Sequence, residues 1–119
     1  MARLAPLFLL WLVSCSGPPA GDGAVCRDVI HRLCNQPRCA QVEAALGVTD
    51  NCEPITLDRT GCTTDDFGFS TPSRDHFLSC RIPLLRNGTW VEAIPDCNDV
   101  TDFLTGCPDV VNFLKGVPP

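Results

Sequence analysis

The chain has no tyrosine, and its single methionine is the initiator. Charged residues make up 19% of its 119 positions, below the roughly 25% of ordinary globular domains. Its nine basic residues are scattered from Arg3 to Lys115 without forming a patch, and the net charge is −5. That distribution excludes a nucleic-acid partner, because a phosphate backbone is bound mainly through clustered Lys and Arg. No apolar run reaches the ~18–20 residues needed to span a bilayer. The length leaves room for one domain at most, which excludes a multidomain enzyme. Missing motifs narrow the chemistry further. There is no C-x-x-C pair of a thioredoxin-like enzyme, no G-x-S-x-G elbow, and no EF-hand spacing around Asp65-Asp66. No cofactor is implied, and the chain reads as a protein without catalytic activity.

What the sequence does hold is cysteine (9), proline (11) and a strongly apolar start. Met1-Ala2-Arg3 is a short positive region, and Leu4 to Val13 (LAPLFLLWLV) is an apolar run of ten. Small residues follow at once, in the layout of a secretory signal. The tetrapeptide Leu12-Val13-Ser14-Cys15 resembles the lipobox of bacterial lipoproteins in all four positions. The resemblance implies a signal over residues 1–14 that is cut before Cys15. The Cys15 thiol would receive diacylglycerol, and its new amino group a fatty acyl chain such as palmitate. Thiolate chemistry is the reason a cysteine stands there. The membrane would then be a partner through the lipid on Cys15. Ser16 in place of Asp implies onward transport to the outer membrane. Ordinary cleavage after Ser16, Gly17 or Ala20, giving a secreted protein, is the alternative. Residues 16–23 (SGPPAGDG) carry no large apolar side chain, and 15–23 reads as a lipidated cysteine with a flexible tether.

Nine cysteines is an odd number, and an odd thiol in an exported protein needs an explanation. Setting Cys15 aside leaves Cys26, Cys34, Cys39, Cys52, Cys62, Cys80, Cys97 and Cys107, an even set. Discarding Cys15 with an ordinary signal leaves the same eight, so parity does not choose the cut. It does make residues 26–107, within a cysteine-rich domain over 24–119, a disulfide framework built in an oxidising compartment. Eight cysteines allow 105 pairings, and only one local pair is excluded. Cys26 and Cys34 stand eight apart along one helical face, too far along the axis to join.

Within 24–119 the periodicity is mainly helical. Cys26, Val29, Ile30, Leu33 and Cys34 share a face. A second helix runs from Pro37 with Asn35 as its cap, turns Cys39, Val42, Ala45 and Leu46 inward, and ends at Gly47. Ser73 caps a third helix carrying Phe77, Leu78 and Cys80, which Pro83 stops. CNDVTDFLTG (97–106) and CPDVVNFLKG (107–116) are tandem decapeptides. Each reads as a short helix with Asp at the positive end of the dipole and a Val-Phe-Leu stripe. Pro108 suits a first helical position, and Gly106 and Gly116 suit left-handed caps. Residues 51–70 read as a loop with room for one short strand, and 51–75 contribute little to a core. Arg86 to Ile94 can form one β-hairpin turning at Asn87-Gly88. The fold class is therefore mainly α: a small disulfide-rich domain of short helices with one candidate hairpin.

Weak site candidates remain. His31, Cys34 and Cys39 have donors zinc would accept, but exported thiols oxidise, so no metal is expected and His31 reads as a solvated helix residue. Asp75-His76 lacks a third catalytic partner. Gly88-Thr89-Trp90 with Ile94-Pro95-Asp96-Cys97 resembles the closing segment of complement-control (sushi) modules, which implies a buried Trp90 beside the last disulfide. Asn87-Gly88-Thr89 is also an N-glycosylation sequon. Two functions follow. One is a membrane-tethered, cysteine-rich lipoprotein of the bacterial envelope with a binding or structural role toward an envelope or extracellular protein. The other is a secreted eukaryotic disulfide-rich recognition module or peptide effector, glycosylated at Asn87.

Overall fold

A computed structural model of the chain describes residues 20–35, 39–90 and 93–119. Six α-helices and one 3₁₀ turn are found among them, and no strand. In chain order they are α1 (Asp22–Cys34), α2 (Ala40–Leu46), α3 (Cys52–Thr60), α4 (Arg74–Cys80), the 3₁₀ turn Ile82–Leu85, α5 (Cys97–Gly106) and α6 (Pro108–Leu114). None of these helices is long and apolar enough to cross a membrane. The mainly α, disulfide-stapled class is therefore observed.

The longest helix, α1, opens at Asp22, so the last residues of the expected tether are helical. Its apolar stripe of Val25, Cys26, Val29, Ile30 and Leu33 is buried, as the spacing predicts. Against it pack α3 on one side and, through the shared core, Leu46, Phe77, Leu84, Val100, Phe103, Val110 and Leu114. Helices α2, α5 and α6 contact one another, and α5 lies on the 3₁₀ turn. α2 ends as expected, with Gly47 at φ 64°. Its C-terminal carbonyl at Leu46 accepts from the Arg59 guanidinium at 2.8 Å, a cation placed where the dipole favours one. The expected start at Pro37 lies outside the described residues. α4 begins where Ser73 Oγ accepts from the His76 amide, the local cap that its sequence announces.

Four elements differ from expectation. Residues 52–60 form a helix, not a loop; its buried face is Cys52 and Thr56, and Gly61 closes it at φ 74°. A polar residue at the centre of the buried stripe hides the periodicity. The segment after it also feeds the core, because Phe67 and Phe69 pack on Phe77 and Phe113 with ring centroids 4.5–6.3 Å apart. Gly106 is the last residue of α5 and not a left-handed cap; Cys107, at φ −136°, turns the chain directly into α6. Gly116 does take the left-handed conformation, at φ 76°. The fourth difference is the absence of a strand among the described residues of 86–94, whose carbonyls face the Arg32 side chain described below.

The eight cysteines form four disulfides: Cys26–Cys62, Cys34–Cys52, Cys39–Cys97 and Cys80–Cys107. Cys26 and Cys34 do not pair with each other, as their helical spacing requires. Cys34–Cys52 is nested inside Cys26–Cys62, and Cys39–Cys97 crosses the other loops. The pairings join α1 to α3 and to the Cys62 loop, α2 to α5, and α4 to α6. Short helices that are marginal alone are thus tied end to end.

Candidate functional site

Cys15, the residue expected to carry lipid, lies outside the described residues. The disulfides settle the other cysteine sites. Cys34 and Cys39 join different partners, so the sequence triad with His31 offers no thiolate. His31 turns instead to Glu53, with Nδ1 3.2 Å from Oε2. Together they border an open groove of about 400 Å³ between α1 and α3, lined by Ala24, Arg27, Asp28 and Leu57 as well. Asp65 and Asp66 stand exposed in a turn. His76 pairs with Asp109 of α6 at 2.8 Å, not with its neighbour Asp75.

The least expected feature is Arg32. It stands on the buried side of α1, seven residues from Val25 and three from Val29, and is 3% exposed. Its Nε donates to Asp28 Oδ2 at 2.9 Å, one turn back. The two terminal nitrogens spread across the 82–94 segment. Nη1 donates to the carbonyls of Gly88 and Ala93, both at 3.2 Å, and reaches that of Leu84 at 3.5 Å. Nη2 donates to those of Thr89 and Trp90 at 3.1 and 3.2 Å. A guanidinium has five donors in a fixed fork, and here the fork gathers the carbonyls of a loop. No strand is found among the described residues of 86–94, where the carbonyls of Gly88, Thr89, Trp90 and Ala93 face Arg32 in place of a partner strand. The Asn87 side-chain amide closes the same loop on the Ile94 carbonyl at 2.8 Å.

The loop so held presents apolar side chains outward. Trp90 is 60% exposed, and Ile82 and Ile94 are each 58% exposed. Trp90 is therefore not the core residue expected. Its ring lies against the backbone of Gly88, so closely that a Cβ on that glycine would collide with it. Gly88 also sits at φ 138°, a conformation other residues rarely take. On the neighbouring surface Arg86 donates to Asp102 at 2.6 Å and to Asp99 at 3.1 Å, anchoring the loop to α5. Those two carboxylates, Asp102 first, hold its pKa above the ordinary value.

Sequence reasoning missed this centre, yet a signal was present. Arg32 falls on the apolar face of α1 with Asp28 four residues before it, and a cation there must have internal partners to be buried. A second charged cluster secures the start of α1. Asp22 accepts from the Phe69 amide at 2.9 Å and from Arg74 at 2.5 Å, which together hold its carboxyl below the usual range, the Phe69 bond most of all. No protein-family model, curated protein or solved structure matches the chain.

Proposed function

We propose that the protein is a lipid-anchored, cysteine-rich lipoprotein of the bacterial cell envelope, bound to the outer membrane through Cys15, with a non-catalytic binding or structural role. The observation that carries the reading is the run Leu12-Val13-Ser14-Cys15 placed directly after an apolar segment of ten. Two features support it. All eight remaining cysteines find partners among themselves, so lipidation of Cys15 would leave no thiol of the folded part unpaired. The first described helix begins at Asp22, seven positions beyond Cys15, so the lipid would hold the domain close to the membrane surface. The contact face of such a domain would be the 82–94 loop, where Trp90 stands exposed on a backbone fixed from beneath. Rigid, exposed Trp is the residue type most enriched at binding hot spots.

Mass spectrometry of the mature amino terminus tests the reading. An acylated Cys15 is expected, and Cys15→Ala should move the protein from the membrane to the soluble fraction, since two or more acyl chains are needed for stable attachment. A free amine at Gly17, Pro18 or Gly21 refutes it. That result would favour the secreted, glycosylated alternative, for which the exposed Asn87 of the sequon is suited. A mass lost on treatment with an N-glycosidase would then identify it.

A further inference from the structure

We propose that Asn87 is a site of spontaneous covalent modification gated by the fold: the closed 82–94 loop keeps it an amide, and the open loop converts it irreversibly to aspartate and isoaspartate. Of the chain's asparagines, Asn87 alone is followed by glycine. A glycine carries no side chain to hinder attack by its own backbone nitrogen. The Gly88 nitrogen bonds to Asn87 Cγ, the Cγ–Nδ2 bond breaks, and the proton of the attacking nitrogen passes through water to the leaving amide, which departs as ammonia. Water then opens the cyclic imide at one of its two carbonyls. One opening gives aspartate. The other gives isoaspartate, in which the main chain runs through the former side chain.

Asn87 is exposed and Gly88 half-buried, so water reaches the site. Two hydrogen bonds stand against the reaction. Asn87 Nδ2 donates to the Ile94 carbonyl at 2.8 Å, which fixes the side chain. The Gly88 N–H donates to the Leu85 carbonyl at 3.1 Å, which holds the proton that the attacking nitrogen must lose. Both bonds belong to the closed loop, where the Arg32 fork collects the carbonyls of Gly88, Thr89 and Trp90 at 3.1–3.2 Å. Reaction therefore proceeds from the locally open state. Its products hold that state open. An ionised carboxylate at 87 has no hydrogen to donate, so it would set one acceptor against another at Ile94. Isoaspartate also adds one carbon to the main chain directly before Gly88, which displaces the three carbonyls from the guanidinium. A transient opening becomes a permanent one, and the fixed backbone beneath Trp90 is lost with it.

The test incubates the mature protein at neutral pH, expressed in bacteria so that the sequon carries no glycan. Beside it stands the same chain, reduced, alkylated and held unfolded in guanidinium chloride. Peptide mapping with isoaspartate detection follows residue 87 in both. The unfolded chain should convert at Asn87 before any other asparagine. The native protein should convert about 10- to 100-fold more slowly, the factor that two ordinary hydrogen bonds represent. Arg32→Met should regain most of the unfolded rate. Since that variant can lose its whole fold, Asn87→Asp is the second probe: it should keep its helical circular dichroism but show faster amide exchange over 86–94 and altered Trp90 emission. Equal rates in the native and unfolded chains, no conversion in the unfolded chain, a native rate in a folded Arg32→Met, or wild-type exchange and emission in Asn87→Asp each overturn the proposal.

Discussion

Replacing Arg32 should cost about as much as emptying a position in the apolar core, and its contacts show why. Arg32→Met keeps the length of the side chain but removes every donor. Among the described residues, five carbonyls and one carboxylate lose a partner. The carbonyls of Thr89 and Trp90 belong to exposed residues and can turn to water. Those of Leu84 and Ala93 belong to buried residues, 1% and 7% exposed, and cannot do so without moving the loop. Each buried acceptor left unpaired costs about 1–3 kcal/mol. Asp28, a quarter exposed, is partly rehydrated and adds less. The sum, about 3–5 kcal/mol, matches the usual cost of breaking a buried charge pair from one side. Arg32→Lys should recover little of it, because a compact ammonium cannot span carbonyls on both sides of the loop. The assay is equilibrium denaturation with the disulfides intact. Once residues 1–14 are removed, Trp90 is the sole tryptophan, so its fluorescence reports directly on the loop, and amide exchange over 86–94 reports on its opening. A loss below about 1 kcal/mol in Arg32→Met, with unchanged Trp90 emission and unchanged exchange, would refute the argument that this side chain holds the segment.

Further outcomes follow from the same contacts. Alkylation of the mature oxidised domain before and after reduction should differ by eight labels, the eight cysteines of the four disulfides; fewer would mean that a native thiol is free. Full reduction should unfold the domain, since the Cys26–Cys62 loop of 36 residues is alone worth about 4 kcal/mol of unfolded-state entropy; a reduced domain that keeps its helical circular dichroism and its cooperative transition would contradict this. Asp22 has a folded pKa below its ordinary 3.8, so its contribution is present above that pH and lost as pH falls through the lower folded value. The melting temperatures of wild type and Asp22→Asn should accordingly differ by a constant amount at neutral pH and converge in acid below 3.8, and a gap that persists to acid unfolding would exclude the Phe69 and Arg74 bonds as its source. Thr56 is fully buried with an unpartnered hydroxyl among the described residues, so the isosteric Thr56→Val should stabilise by about 1 kcal/mol in a denaturant midpoint; destabilisation would show that the hydroxyl has a partner.

How far the sequence specifies this fold depends on the range over which each choice is made. Where a helix is decided by its own ends, the pattern suffices. Ser73 before Phe77 and Pro83 after it delimit α4, and Gly47 ends α2, because caps act within one turn. α1 is legible for the same reason, its stripe being continuous over three turns. α3 is not, because Thr56 occupies the slot where a periodicity search expects an aliphatic residue. Gly61 was nevertheless in place to end it. The 82–94 loop fails differently. Asn87-Gly88 is a strong local turn signal, and in isolation a hairpin is its natural outcome. The competing partner is a guanidinium more than fifty residues earlier in the chain, and no local window contains it. Trp90 shows the consequence: a residue type that fills cores is left outside, because the loop's inner side is already occupied by charge. The disulfide pairing is nonlocal in the same sense, and sequence spacing excluded one pair without choosing among the rest. The candidate contact face thus owes its form to a nonlocal interaction, a buried cation on the core side of α1 that holds a loop whose apolar side chains face outward.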